Sequence, residues 1–211
     1  MKLFQSLFIT LAISSGSLAT EPSFVEGSRQ LTVRVYDYAD AKPGLLQRAR
    51  EQAAEILGRA GVSAHWEQCP ISETAPKLDN TCAQEAAVHV LQLRIHSREM
   101  SRMISKTRIE FGYALPLSKG FGVICGIYLD QTFDLADSLG VPPHVVLGHT
   151  IAHEIGHLLM GHNSHSKAGI MVAKWGDSEI RLAKKGRLEF SDAQAARMQA
   201  DVAARLKFNR W

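Results

Sequence analysis

The sequence lacks several features that would place it in a specialised class. Its 211 residues carry 24 Lys and Arg against 21 Asp and Glu, and this net charge of +3 does not indicate a nucleic-acid-binding protein. The glycines at positions 120, 122 and 126 have neither the spacing nor the following helix of a nucleotide-binding loop. Internal repeats, low-complexity tracts and linkers are missing as well. With 45% hydrophobic residues, the chain is expected to form one globular domain.

Long hydrophobic runs are confined to the N-terminus. Lys2 precedes an apolar run over residues 3–13, and small residues follow as far as Ala19. The run is shorter than the ~20 residues that span a bilayer, so residues 1–19 are interpreted as a secretory signal peptide rather than a membrane anchor. The mature domain would then be residues 20–211. It would be secreted or periplasmic, with no membrane span after cleavage.

Cysteine is scarce, with only three residues. Cys69 and Cys82 flank a polar stretch that contains proline, and because an exported chain permits disulfides we expect them to form a loop-closing disulfide. Cys125 lies in an apolar run and is expected to be a buried, inert thiol rather than a nucleophile. The even cysteine spacing of a zinc ribbon is absent.

Hydrophobic periodicity predicts strands early in the chain and helices late. Residues 31–35 alternate as a half-buried strand, Pro43 begins a helix that Gly61 ends, and a second strand follows over residues 62–66. This succession predicts a crossover with parallel pairing. Residues 88–95 are nearly all apolar, which predicts a central strand.

The second half of the chain continues the same order and predicts an α+β fold. A loop or short helix is expected over residues 97–108, two strands over 111–117 and 123–129, a helix from Pro143 to a break at Gly161, and a last helix over about 191–206. Ser191 and Gln194 have the spacing of a capping box at the start of that last helix.

Six of the nine histidines fall within residues 144–165, and two of them belong to an H-E-x-x-H sequence, His153 to His157. On a helix these two imidazoles stand one turn apart on the same face, as two ligands of one zinc ion must. Glu154 lies about 100° around the helix from His153, beside the metal but outside its set of ligands. A carboxylate in that position can take a proton from activated water and pass it to a leaving amine.

A catalytic zinc needs a third protein ligand and an open position. Gly161 is expected to end the helix and to let the chain fold back toward the metal. His162 follows the glycine at once, whereas His165 has the reach of a short loop, and we therefore favour His165. His149 shares the ligand face one turn earlier and could take a supporting or substrate-side role.

The segment resembles the metzincin branch of the zincin metallopeptidases, whose motif is H-E-x-x-H-x-x-G-x-x-H followed by a turn with a methionine beneath the metal. It also looks like that of bacterial exported proteins taken to be zinc metallopeptidases. Gly161 falls one residue later than the family's glycine, Asn163 stands at the family's third-ligand position, and Met171 resembles the turn methionine. The resemblance implies a mixed, mostly parallel twisted sheet with an active-site helix and a C-terminal helix. It also implies an edge strand that binds substrate, at residues 121–128 or 111–117.

The leading hypothesis is therefore an exported zinc-dependent peptidase. Its Zn²⁺ would be held by His153, His157 and His165, Glu154 would act as general base, and the partner would be a peptide or protein substrate. Two alternatives stay open. One is a non-catalytic exported binding protein on a zinc-stabilised scaffold, and the other is a zinc hydrolase of non-peptide amides.

Overall fold

The computed structural model describes residues 30–71, 82, 87–104, 111–115, 120–161 and 163–208. The signal peptide predicted at residues 1–19 and the candidate ligand His162 lie outside these ranges. Within them, no helix has both the length and the apolar composition needed to cross a membrane.

The described residues form one five-stranded sheet and six helices. The strands are β1 (Gln30–Asp37), β2 (Ser63–Cys69), β3 (Val90–His96), β4 (Gly112–Leu115) and β5 (Ile124–Tyr128). The helices are α1 (Pro43–Arg59), α2 (Arg98–Ile104), α3 (Leu129–Ser138), α4 (Pro143–Met160), α5 (Asp177–Lys184) and α6 (Asp192–Phe208).

The sheet has the order β2-β1-β3-β5-β4, and only the β4–β5 pair is antiparallel. The predicted α+β class with a mixed, mostly parallel sheet is therefore confirmed, as is the central position of the apolar strand over residues 88–95. The β1-α1-β2 crossover also forms as predicted, with β1 and β2 parallel. Its core is built from the alternate residues of β1 and the three-four spaced residues of α1, which are buried together: Leu31, Val33, Val35, Leu46, Ala49, Ala53 and Ile56.

Helix α4 runs against α1, and the absence of a side chain at Gly148 permits the close approach. A Cβ atom there would lie 2.8 Å from the Ala49 carbonyl oxygen and 2.7 Å from the Gln52 Cβ. The helix ends as predicted at Gly161, whose φ of 79° lies in the region that favours glycine. Helix α4 therefore has a fixed position and a defined last residue, which set where its histidines lie.

Helix α6 holds the C-terminal end of α4. Arg205 is fully buried, and its guanidinium donates to the carbonyl oxygen of Leu158 at 2.9 Å and to those of Val88 and Gly122 at 2.7 and 3.0 Å. Arg197 donates to the carbonyl oxygen of Met160 at 2.7 Å. The bonds to Leu158 and Met160 satisfy carbonyl groups that the end of α4 would otherwise leave without partners.

Some predicted elements were placed differently. The strand predicted over residues 123–129 ends at Tyr128, where α3 begins at once, and neither α3 nor α5 was predicted as a helix of its own. Residues 97–108 contain the short helix α2, and their last four lie outside the described ranges. The predicted capping box is present, since Ser191 and Gln194 exchange hydrogen bonds of 2.9 and 3.3 Å.

The cysteines behave as expected. Cys69 and Cys82 form the predicted disulfide, with their Cα atoms 5.8 Å apart. Cys125 is a free, fully buried thiol in β5, and its burial raises the pKa of the thiol well above the ordinary value. It is therefore a packing residue rather than a nucleophile.

Candidate metal centre

Helix α4 presents two histidines on one face and apolar side chains on the other. The Nε2 atoms of His153 and His157 lie 3.0 Å apart, and their rings meet edge to face. Ile151 and Ile155 are fully buried on the core side. The four-residue spacing thus places the two imidazoles on one face of the helix.

His165 joins this pair after the chain turns back beyond Gly161. Its Nε2 lies 3.1 Å from that of His157, and each of the three histidines offers a nitrogen within 4.8 Å of the others. A tetrahedral zinc ion with bonds of roughly 2.0–2.1 Å would separate its ligand nitrogens by roughly 3.3 Å. The three imidazoles therefore fit the size and the chemistry of a zinc ion.

The turn between Gly161 and His165 passes through Asn163, which stands at the third-ligand position of the family motif. Asn163 is exposed and has a φ of 59°, a left-handed conformation that asparagine tolerates better than most residues. The next two residues, Ser164 and His165, are directed toward His157. This turn explains how a histidine two residues later reaches the group.

The other ring nitrogens of the α4 pair have hydrogen-bond partners that fix the rings. His153 Nδ1 donates to the carbonyl oxygen of Ile170 at 2.7 Å, and His157 Nδ1 lies 2.7 Å from the Ser164 Oγ. A carbonyl oxygen can only accept, so the proton of neutral His153 is on Nδ1 and its Nε2 lone pair is free for a metal. Sequence reasoning found neither partner.

The environment keeps His153 neutral. Burial lowers the pKa of His153 to about 4, against a smaller opposing effect of its bond to Ile170. At neutral pH the imidazole therefore carries no proton on Nε2, as metal ligation requires.

Glu154 follows His153 on α4 and lies against the sheet. It is 6% exposed, and a Cβ atom at Gly112 of β4 would lie 2.9 Å from its Cγ and Oε1 atoms. The carboxylate therefore rests on the backbone of β4, a strand at the edge of the sheet. Glu154 itself belongs to α4, the helix that carries two of the histidines. A small residue is required at position 112, which sequence reasoning did not identify.

Met171 forms part of the floor beneath α4. It is fully buried, and its Sδ would lie 2.9 Å from a Cβ atom at Gly156, between the two α4 histidines. The turn that carries it is closed by a 2.8 Å bond from the Ser166 amide to the Met171 carbonyl oxygen. Met171 thus packs against the helix that carries two of the histidines.

Two other expectations can be compared with the structure. His149 is fully buried, its Nδ1 donates to the Val145 carbonyl oxygen at 2.8 Å, and it is not a member of the three-histidine group. Residues 121–128 were one candidate for the edge strand, but this prediction is wrong, because β5 pairs with β3 on one side and β4 on the other. The other candidate, residues 111–117, contains β4, which pairs only with β5 among the described strands.

The fold and the site define an α+β protein with a three-histidine group that could hold a metal ion, and with a buried glutamate on the helix that carries two of the histidines. No protein-family model and no curated protein sequence matches the chain. Among solved structures, it is similar to archaemetzincin from Methanopyrus kandleri, with a TM-score of 0.48 and 15% sequence identity over 84% of this chain and 98% of that one. A similarity of this size assigns no activity.

Proposed function

We propose that this protein is an exported zinc metallopeptidase of the H-E-x-x-H type. The observation that carries the proposal is the convergence of the Nε2 atoms of His153, His157 and His165, two of which lie on the same helix as the buried Glu154. Three histidine ligands leave one tetrahedral position open, which is the arrangement of catalytic rather than structural zinc sites.

The residues take separate roles in this mechanism. When bound, zinc supplies a Lewis acid that activates water and polarises a carbonyl group. The three histidines would hold the ion, and the hydrogen bonds to Ile170 and Ser164 orient two of them. Glu154 accepts a proton from the attacking water and passes it to the leaving nitrogen.

The edge of the sheet favours an extended peptide as substrate. Strand β4 pairs only with β5 among the described strands, and its residue Gly112 contacts Glu154. An extended chain that added to this edge by backbone hydrogen bonds would lie beside the glutamate. This supports a peptide bond over a non-peptide amide as the bond that is cleaved.

Export is supported by two features of the sequence. The apolar run over residues 3–13 with its flanks has the pattern of a signal peptide, and a disulfide such as Cys69–Cys82 persists in oxidising compartments. Expression of the full chain in a bacterial host, followed by mass spectrometry of the periplasmic and secreted fractions, should find a mature N-terminus near residue 20. An intact N-terminus retained in the cytoplasm would contradict export.

Replacement of the glutamate tests the mechanism. Glu154→Gln should retain zinc, measured by metal analysis, and should lose hydrolysis of a broad peptide library. Glu51→Gln is the matched control, because Glu51 is exposed on α1 and its carboxylate accepts a hydrogen bond from the Gln47 side chain of the same helix. Turnover by Glu154→Gln equal to that of the wild type would overturn the general-base assignment.

The third ligand is tested separately. His165→Ala should lose zinc and His162→Ala should keep it, and the reverse result would reassign the third ligand. A zinc-replete wild-type protein that cleaves no peptide would contradict the peptidase proposal. The same protein would then be screened against non-peptide amides, and complete inactivity would favour a zinc-stabilised binding protein.

A further inference from the structure

Trp175 lies against the metal-binding group, four residues after Met171. Its indole ring meets the ring of His153 nearly at right angles, with centroids 5.8 Å apart, and meets His149 in the same way at 6.3 Å. Its Nε1–H donates to the carbonyl oxygen of Ile170 at 3.1 Å. This is the oxygen that accepts the 2.7 Å hydrogen bond from His153 Nδ1.

The Ile170 carbonyl therefore has both of its acceptor positions occupied. A carbonyl oxygen has two lone pairs, and here one faces an imidazole and the other an indole. Two donors from different directions restrict rotation of this peptide plane more than one donor would. Because His153 is oriented by that oxygen, the indole acts on the histidine through the carbonyl group.

The other side of Trp175 contacts the strand edge. Its ring stacks on Phe111 at 6.3 Å between centroids, with an interplanar angle of 27°. The Phe111 carbonyl oxygen accepts a 2.9 Å bond from the Tyr128 amide, which ties this residue to β5. The next residue along the chain is Gly112, on which Glu154 rests. Trp175 thus contacts the proposed metal ligand His153 and also Phe111. Phe111 precedes the glycine on which the proposed base, Glu154, rests.

We propose that Trp175 is a positioning residue for the metal site. Its N–H fixes the carbonyl group that orients His153, and its ring supports Phe111 next to the backbone that carries Glu154. The effect on metal affinity requires only that the three histidines bind a metal ion, whereas the effect on turnover rests on the proposed function.

The test removes the donor and keeps a ring. In Trp175→Phe, the Nδ1–H proton of His153 should exchange with water faster, measured by NMR of metal-free protein labelled with ¹⁵N-histidine. Zinc affinity, measured by competition with a chromophoric chelator, should fall about 3- to 10-fold, less than the 10- to 100-fold found when a direct partner of a ligand is removed.

Trp66→Phe is the matched control. Trp66 lies in β2, and its Nε1 is buried without a hydrogen-bond partner. Trp66→Phe therefore makes the same exchange of indole for phenyl but removes no hydrogen bond. It should leave the His153 exchange rate and the zinc affinity unchanged. Equal values of both quantities in wild type, Trp175→Phe and Trp66→Phe would overturn the proposal.

Two further measurements keep the test decisive. If Trp175→Phe does not fold, 3-benzothienylalanine at position 175 keeps the shape of the indole and replaces its N–H by sulfur, and the same two changes are expected. If peptides are cleaved, kcat measured at saturating zinc should fall about 3- to 10-fold, which is less than the fall expected for a lost metal ligand. KM should stay within about twofold of wild type. Absence of peptidase activity in the wild type would contradict the proposed function, but exchange rate and affinity would still decide the role of Trp175.

Discussion

The hydrogen bond between Ser164 and His157 provides a quantitative test of how the metal site is held. Ser164 is 4% exposed, and its Oγ lies 2.7 Å from His157 Nδ1. For His157 to offer its Nε2 lone pair to a metal, Nδ1 must carry the proton and donate it to this oxygen. The serine hydroxyl can accept this hydrogen bond, and it then holds the ring in the orientation that presents Nε2 to a metal.

The Ser164→Ala variant leaves that N–H without its acceptor in a partly buried position. A buried donor that loses its partner costs about 1 to 3 kcal/mol, which corresponds to roughly 5- to 150-fold in an equilibrium constant. Loss of an outer partner of a metal-ligating histidine typically weakens metal binding about 10- to 100-fold. Together the two estimates place the expected loss of zinc affinity between about fivefold and about 150-fold.

The assay is competition between the protein and a chromophoric zinc chelator at fixed pH, with the thermal midpoint of the metal-free protein measured in parallel. Ser138→Ala is the control, since Ser138 is exposed at the end of α3 and its Oγ donates only to the Leu135 carbonyl oxygen. A folded Ser164→Ala protein with zinc affinity within about twofold of the wild type would refute the argument, because a bond that orients a ligand cannot be removed without effect.

Two other predictions follow from the packing and burial of the site. In Gly112→Ala the added Cβ would lie 2.6 Å from the Gly126 carbonyl oxygen and 2.9 Å from Glu154, so the carboxylate must shift. Peptide turnover should therefore fall about 10- to 100-fold with zinc retained. An unchanged kcat would show that the position of Glu154 does not matter. For the metal-free protein, the pKa of His153 is lowered from 6.5 to about 4 in the folded state, so the unfolded chain binds this proton first as pH falls. The contribution of His153 to stability should be fully present above pH 6.5 and decrease by about 3 kcal/mol as pH falls to 4. Burial also lowers the pKa values of His96 and His149, so urea unfolding should show a decrease with pH in both proteins that is steeper in wild type than in His153→Gln.

The local sequence was sufficient to predict helix α4 and the pair of histidines on it. The four-residue spacing, the apolar residues of the opposite face, the proline in the first turn and the glycine after the last residue are all within one segment. Helix α3 has no such signals. It begins directly after β5, and its N-cap residue Tyr128 makes no side-chain cap, so its apolar residues continued the pattern of the preceding strand.

The supporting partners of the histidines could not be predicted for a different reason. Ser164 orients His157 only because Asn163 takes a left-handed conformation, and the Ile170 carbonyl orients His153 only because of the turn that follows. A backbone oxygen is present at every position and leaves no trace in the sequence. The choice between residues 121–128 and 111–117 as the edge strand likewise depended on pairing between distant segments, which local periodicity does not determine.

The position of the third histidine depends on contacts far from the motif. His165 follows the end of α4, and that end is held by Arg197 and Arg205 of helix α6 through the carbonyl oxygens of Met160 and Leu158. A kink or a frayed last turn in α4 would move the loop that follows it. The direction in which the chain leaves α4 therefore depends on α6, which lies some 40 residues farther along the sequence. The H-E-x-x-H spacing therefore supplies two ligands by itself, whereas the third requires the C-terminal helix to be packed in place, and metal affinity and folding of α6 should be coupled.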